Sequence, residues 1–229
     1  MTHPLDNVLW TALAMAQSHL ATGGDRARRF DPRYAGFAGL ADDSAASLAA
    51  LARLMRAGEG ASVAALADLE PGPLFDVVGH KNLVQMIGAA TGAVRDAGRF
   101  VELGADDVPQ MTALVALTAP GPWFERSASL GRFVGFRADG RLVAMAGERL
   151  RVPGHTEISG VCCDPAFRGR GLAADLMRLV SQGIVARGET PFLHVIGENT
   201  GAIALYERLG LRERQRRRLT LLRRNDVPA

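Results

Sequence analysis

The sequence predicts an α/β (α+β) protein: a mixed, mostly antiparallel central sheet flanked by helices, with an N-terminal α/β extension. Three observations carry this. Residues 131–163 contain three strand-like runs joined by short turns, an antiparallel meander. Residues 171–222 then alternate helix, strand, helix, strand, which lays helices on a sheet. Before about residue 98 the chain is alanine-rich and reads as helices with only short strands. The expected division is therefore residues 1–98 and residues 99–229.

In chain order, Asp6–Leu20 reads as a helix, with Leu9, Leu13, Ala16 and Leu20 at helical spacing. Ser44–Arg56 reads as another, with Ser44 as N-cap and Leu48, Leu51 and Leu54 or Met55 as its apolar stripe. Short strands are expected at Phe37–Leu40, Ser62–Leu66 and Phe75–Val78, with Glu70-Pro-Gly-Pro73 as a turn. Phe100–Leu103 is a strand. Asp106 is expected to cap a helix to Leu117, with Pro109 tolerated in its first turn. Gly131–Arg137, Leu142–Leu150 and His155–Cys163 form the meander. A helix at Gly171–Ala186, a strand at Phe192–Ile196, a helix at Thr200–Leu209 and a strand near Leu211–Leu222 complete the chain.

Composition narrows the function. The hydrophobic fraction of 48% and charged fraction of 22% are those of a globular protein with a sizeable core. Lys81 is the only lysine, and the arginine and alanine excess matches the codon bias of a GC-rich genome. A net charge of +3 does not call for nucleic acid. The arginine-rich segment Arg212–Arg218 lacks stacking aromatics and alternates with Leu219 and Leu221, as in an exposed edge strand guarded by charge. Cys162 and Cys163 are adjacent and on opposite faces of a strand, so they cannot form an ordinary disulfide there. With no signal peptide and no apolar span, the expectation is a cytoplasmic protein without a membrane partner.

The stretch with chemistry is Ile158–Met177, strand, loop, helix. Gly169 and Gly171 allow close backbone approach, and the helix after them offers unpaired N–H groups and its positive dipole end. Together with Arg168 and Arg170 this is a site for phosphate or pyrophosphate. A Walker A loop is excluded because no lysine is present there. The spacing Gly169-x-Gly171-x-x-Ala174 is a weak dinucleotide fingerprint, in the wrong context after an antiparallel strand. A plain glycine turn capping a helix is the alternative.

Arg168-Gly-Arg-Gly-Leu-Ala173 resembles the [Arg/Gln]-x-x-Gly-x-[Gly/Ala] motif of the GNAT superfamily, the acyl-CoA-dependent N-acyltransferases. Asn199-Thr-Gly-Ala-Ile-Ala-Leu-Tyr206-Glu-Arg-Leu-Gly210 is similar to that family's second motif, one helix and one strand downstream. The resemblance covers about residues 99–222. Glu157-Ile-Ser-Gly-Val-Cys162 with Pro165, and Pro191-Phe-Leu-His-Val195, look like its FR47-like subgroup.

The resemblance implies an acyl-CoA N-acyltransferase fold and acetyl-CoA as co-substrate, with no metal. It implies that the backbone of Arg168, Gly169, Arg170, Gly171, Leu172 and Ala173 meets the pyrophosphate. It further implies that Val161, Cys162 and Cys163 pair with the pantetheine arm as an added strand would, with Asn199 nearby. Tyr206 is then the candidate acid, or else a core aromatic. Glu157, eleven positions before Arg168, is the candidate base, or else a solvated or salt-bridged strand residue. By simple alternation it shares a face with Ser159, Val161 and Cys163, and His155 sits at a turn. The backbone N–H of Val161 or Cys162 is the candidate oxyanion donor.

Other features stay open at this level. A thiol nucleophile with His194 as its neighbour is weighed against small buried cysteines. Pro120-Gly-Pro-Trp-Phe-Glu-Arg126 is an acceptor-pocket wall or a core plug. Residues 1–98 are expected to be non-catalytic: a degenerate half-copy, a lid or a dimer surface. The expected activity is acetyl transfer to a primary amine, small molecule or peptide, by a monomer or homodimer. The alternative is a catalytically vestigial acyl-CoA sensor or scaffold.

Overall fold

The computed structural model describes residues 3–226. In chain order the elements are α1 (Val8–Ala14), β1 (Ala21–Gly23), β2 (Ala27–Phe30), β3 (Ala38–Leu40), α2 (Ala45–Arg53), β4 (Gly60–Ala65), β5 (Phe75–Ile87), β6 (Phe100–Leu103), α3 (Val108–Thr118), β7 (Phe133–Ala138), β8 (Arg141–Val152), β9 (His155–Cys163), α4 (Leu172–Ala186), β10 (Thr190–Ile196), α5 (Thr200–Arg208) and β11 (Arg212–Arg224).

One eight-stranded sheet runs in the order β4-β11-β5-β10-β9-β8-β7-β6. Its neighbours are antiparallel except β9 and β10, which are parallel. A small antiparallel sheet, β1-β2-β3, precedes it. The mixed, mostly antiparallel sheet with flanking helices is the predicted class. Residue 98 does not interrupt this sheet: β5 lies between β10 and β11.

One face of the sheet is covered by α4 and α5. Leu172, Leu176, Met177, Val180 and Ile184 follow helical spacing and are buried against Val143, Ala144, Ile158, Leu193 and Val195. Burial of each such side chain is worth about 1.5–3 kcal/mol. On the opposite face α1 packs Leu9 and Leu13 with Phe37, Leu150 and Phe192. There α3 packs Met111 and Leu114 with Phe133, Met145 and Cys162. No helix among the described residues is long and apolar enough to cross a membrane.

Four local expectations are corrected. The helix expected over Asp6–Leu20 stops at Ala14, because Gln17 turns inward to bracket β8. Its amide donates to Arg149 O at 2.8 Å and accepts from Arg151 N at 3.1 Å. The strand at Phe75 continues to Ile87, held by β11 along its length and by β10 over Leu83–Ile87. Asp107, not Asp106, closes the start of α3, accepting from the Gly104 N–H at 2.8 Å and pairing with Arg137. Finally, β11 is interior, between β4 and β5. That holds where residues 218–223 pair with β4; residues 212–217 pair with β5 alone and keep the charged, open edge that was expected. Arg214, Arg216 and Arg218 pair with Asp6, Glu213 and Asp68.

Candidate active site

The site begins where two parallel strands part. β9 and β10 pair only at Thr190–His155, Pro191–Thr156 and Phe192–Glu157. β10 continues to Ile196 against β5, and β9 continues to Cys163 against β8. Between them the backbone of Ile158–Cys163 borders an open gap. A bulge bends β9 at this point: Gly160 has φ +64°, and the register with β8 slips by one residue between Met145 and Gly147. The glycine is needed because a Cβ would press on the Phe133 ring at 3.0 Å in a left-handed backbone.

The bulge also corrects the expected facing. The extra residue resets the alternation beyond Ser159. Ile158, Val161 and Cys163 pack on the α4 side, whereas Cys162 packs on the α3 side. Glu157 lies on the face away from α4, with His194, so its face includes Cys162 rather than Val161 or Cys163.

The gap leads into the glycine loop. Gly169 and Gly171 both have φ +76°, and nothing lies within 4 Å of where a Cβ of Gly169 would stand. The N–H groups of Gly169, Arg170, Gly171, Leu172, Ala173 and Ala174 have no acceptor among the described residues. Arg168 differs: its N–H donates to Pro165 O at 3.3 Å and its side chain to Cys163 O at 3.4 Å. The unpaired run therefore starts one residue later than the motif and extends one further. Such consecutive donors at the start of a fifteen-residue helix form a concavity suited to an anion. Arg170 and Arg168 are exposed beside it.

Glu157 is fully buried and both its oxygens are engaged. Arg149 grips them at 2.7 and 2.8 Å, and His194 Nδ1 meets Oε1 at 2.7 Å. Burial alone would raise this carboxyl, but the Arg149 charge and the hydrogen bonds outweigh it and hold the group at about 2. The salt-bridged alternative describes this geometry. Gln85 Nε2 lies 3.1 Å from His194 Nε2 and donates to Leu5 O at 3.2 Å, while Gln85 Oε1 accepts from Arg214 at 2.9 Å. The Arg214 contact fixes the amide orientation, so His194 carries its hydrogen on Nδ1 and accepts at Nε2.

Tyr206 packs within the α4-side core, close to Leu209 and Leu193. Burial pushes its hydroxyl up to about 12, and no described residue hydrogen-bonds it. Asn199 caps α5, its side chain accepting from Ala202 N at 3.2 Å. Neither cysteine is near an activating histidine, since both nitrogens of His194 are taken. Burial raises the Cys162 thiol to about 11 and also raises that of Cys163. Among the described residues the His155 ring meets Pro153 O, at 2.9 Å, with the His3 ring beside it. In the 120–126 loop, Trp123 is a plug: its Nε1 donates to Thr112 at 3.1 Å and its ring meets the edge of Phe133.

Three contributors carried no clear signal in the sequence. Arg149 lay in a strand already assigned, without a marked partner. Gln85 lay beyond the expected end of its strand, although Leu83, Gln85 and Ile87 alternate with Val84 and Met86. Arg95 lies in an irregular connection and crosses the loop. It donates to Arg170 O at 2.8 Å and pairs with Asp175 at 3.0 Å.

Comparison with known proteins places this geometry. The family model described as FR47-like protein matches residues 133–219. The N-alpha-acetyltransferase RimI of Mycobacterium tuberculosis is 35% identical over 142 residues, 56% of this chain and 82% of that protein. A crystal structure from Novosphingobium aromaticivorans, described as a GNAT-family acetyltransferase, superposes with TM-score 0.89 at 43% identity, covering 98% of this chain and 100% of that one. A GCN5-related N-acetyltransferase from Kribbella flavida shares the fold, with TM-score 0.63 at 16% identity over 96% of this chain and 95% of that one. With a parted parallel strand pair running into a glycine loop, and relatives covered over most of their length, this chain belongs to the GNAT family of N-acetyltransferases, in its FR47-like branch.

Proposed function

We propose that the chain transfers an acetyl group from acetyl-CoA to a primary amine by direct attack in a ternary complex. The observation that carries this is the parting of β9 and β10, open along the backbone of Ile158–Cys163 and continuous with the unpaired N–H run from Gly169 to Ala174. The strand edge suits an amide-bearing pantetheine arm, and the N–H run suits a pyrophosphate.

In this reading the amine nitrogen bonds to the acetyl carbon while the carbon–sulfur bond breaks. The Val161 N–H stabilises the oxyanion, since the Cys162 N–H points toward Met145 on β8. Tyr206 keeps its proton at every physiological pH and offers a hydrogen bond to the departing thiolate. Glu157 positions rather than deprotonates: its oxygens are held by Arg149 and His194, and a carboxylate held so low is a weak base. The amine proton leaves through water. Asn199 fixes the start of α5 and so the placement of Tyr206. The α-amine chemistry of the mycobacterial relative makes a peptide N-terminus the first acceptor to try. Two unbridged thiols suit a reducing cytoplasm, as monomer or homodimer.

The test is acetyl-CoA at millimolar concentration in a thermal shift, followed by thiol release over a panel of amines and peptides. A rise in Tm is expected, because ligand binding to the folded state stabilises it. No shift and no thiol release defeats the reading; a shift without release from any amine supports a sensor instead.

A further inference from the structure

Three of the arginines along β11 have a carboxylate of their own: Arg214 takes Asp6 at 2.5 Å, Arg216 takes Glu213 at 2.8 Å and Arg218 takes Asp68 at 2.6 Å. Arg217 has no carboxylate partner among the described residues. Its guanidinium donates to the backbone oxygen of Asp6 and to Gln215 Oε1 at 2.9 Å, both neutral groups. It is half-buried and stands close to Arg214. Burial, with the Arg214 charge, lowers its pKa despite Asp6 and Asp43 nearby. A partly desolvated cation beside another cation is costly, and an anion placed there recovers that cost.

Arg217 also borders open space. It lines a cavity of about 460 Å³ with Leu66, Asn82, Leu83, Gly197 and Glu198. It lines a second, of about 280 Å³, with Asn7, Val63 and Leu66, a space that Asp42 and Asp43 also line. The first cavity reaches Gly197 and Glu198, which directly follow β10. Its other charges are engaged: Glu198 accepts from Asn82 at 3.0 Å, and Arg216 and Arg218 hold their own acids. Arg217 is in register with Leu83, and Leu83 with Ile196, so the three form one row across the sheet. At about 5 Å per strand, Arg217 stands roughly 10 Å from Ile196, on the face that carries Glu157 and His194.

The geometry points to Arg217 as the anchor for a carboxylate on the acceptor, so that the amine substrates of this chain bear a carboxylate several bonds away from the amine. This rests on the acetyl-transfer reading above and specifies its acceptor. The spacing disfavours a carboxylate on the carbon that bears the amine. It fits either a small amino acid with a distal amine or a peptide N-terminus followed closely by Asp or Glu. An Arg–carboxylate pair in a partly desolvated pocket is worth enough to set specificity.

The experiment uses pairs that differ only at the carboxylate: lysine against lysine amide, and short peptides with Glu or Gln at the second and third positions. Thiol release from acetyl-CoA is measured with the wild-type chain, Arg217→Met and Arg217→Gln. The acid member of at least one pair is expected to have kcat/KM about tenfold or more above its neutral twin, and which pair responds tells small molecule from peptide. Both variants are expected to bring that ratio near one while keeping the acetyl-CoA thermal shift. Calorimetric titration of the same pairs without acetyl-CoA reads the anchor independently of turnover. Equal affinities for acid and neutral members, or a ratio unchanged in both variants, overturn the proposal. Loss of the acetyl-CoA thermal shift in the wild type, with acid-selective binding intact, strikes the acetyl-transfer reading instead.

Discussion

His194 Nδ1 lies 2.7 Å from Glu157 Oε1, and the carboxylate also accepts from Arg149 at 2.7 and 2.8 Å and from the Leu150 N–H at 3.3 Å. A buried acid bound on every side belongs to the frame of the site. Its partners reach from β8 through β10 to Gln85 on β5, which ties together the strands that border the gap.

This arrangement has a pH signature. The Glu157 carboxyl titrates near 4.5 when unfolded and at about 2 when folded. Its contribution, roughly 3 kcal/mol, is therefore complete above about pH 4.5 and is lost as pH falls through about 2. Glu157→Gln is expected to flatten that part of the stability profile, measured by denaturant unfolding. It also costs about 3–5 kcal/mol at neutral pH by leaving Arg149 buried without a partner. Adding Arg149→Met restores much of this. If Glu157 positions the strands, the restored double variant keeps kcat within about tenfold; a proton acceptor would show a loss of about 10²-fold or more that no second change recovers.

Tyr206→Phe removes a hydroxyl held at about 12. The expected loss is about 10²-fold in kcat, with the thermal shift by acetyl-CoA unchanged. Since the wild-type hydroxyl stays protonated through pH 10, the wild-type rate has no falling limb below that pH from this group. Full turnover by the Phe variant across the pH range removes Tyr206 from the mechanism.

Gly169→Ala tests the loop. An alanine at φ +76° costs about 1–2 kcal/mol in backbone strain, yet its Cβ meets no protein atom within 4 Å. The variant should fold with a slightly lower Tm, while KM for acetyl-CoA rises on the order of tenfold as the N–H donors turn away. A KM equal to wild type would show that the loop does not face the ligand. Gly171→Ala is harsher, because its Cβ would overlap the Arg95 guanidinium lying across the loop.

The cysteines should be dispensable. Cys162→Ala and Cys163→Ala, together, are expected to keep turnover within a fewfold, and intact mass measurement should find no acetylated wild-type enzyme during the reaction. A trapped acetyl-thioester on either residue would require a two-step mechanism. The Cys162 change alone should cost about 1–2 kcal/mol of stability, since its side chain is buried with Met145 and Phe133.

Much of this was legible in the sequence, for physical reasons. The meander, α4 and α5 carry strong local periodicity and sit next to turn or cap residues, so their bounds fell within a few residues of those observed. The loop was legible because positive φ and close approach select glycine. The facing of Val161 and Cys163 was not, since a bulge changes alternation by one residue and only the φ of Gly160 reveals it. Nor was the length of β5: His80, Lys81 and Asn82 interrupt an apolar pattern that depends on distant strands for its pairing. The grip of Arg149 on Glu157 was hidden for a similar cause. Charge pairing across strands depends on register, and register is settled by the whole sheet.

The place of β11 between β4 and β5 also orders events during synthesis. Both of its neighbours emerge from the ribosome more than a hundred residues before it does. Until residues 212–224 arrive, β5 can pair with β10 alone, and β4 lacks its sheet partner. A chain interrupted upstream would leave the β11-facing edges of β4 and β5 unpaired, the kind of open edge that favours aggregation. The last strand thus acts as a clasp that joins two segments far earlier in the chain.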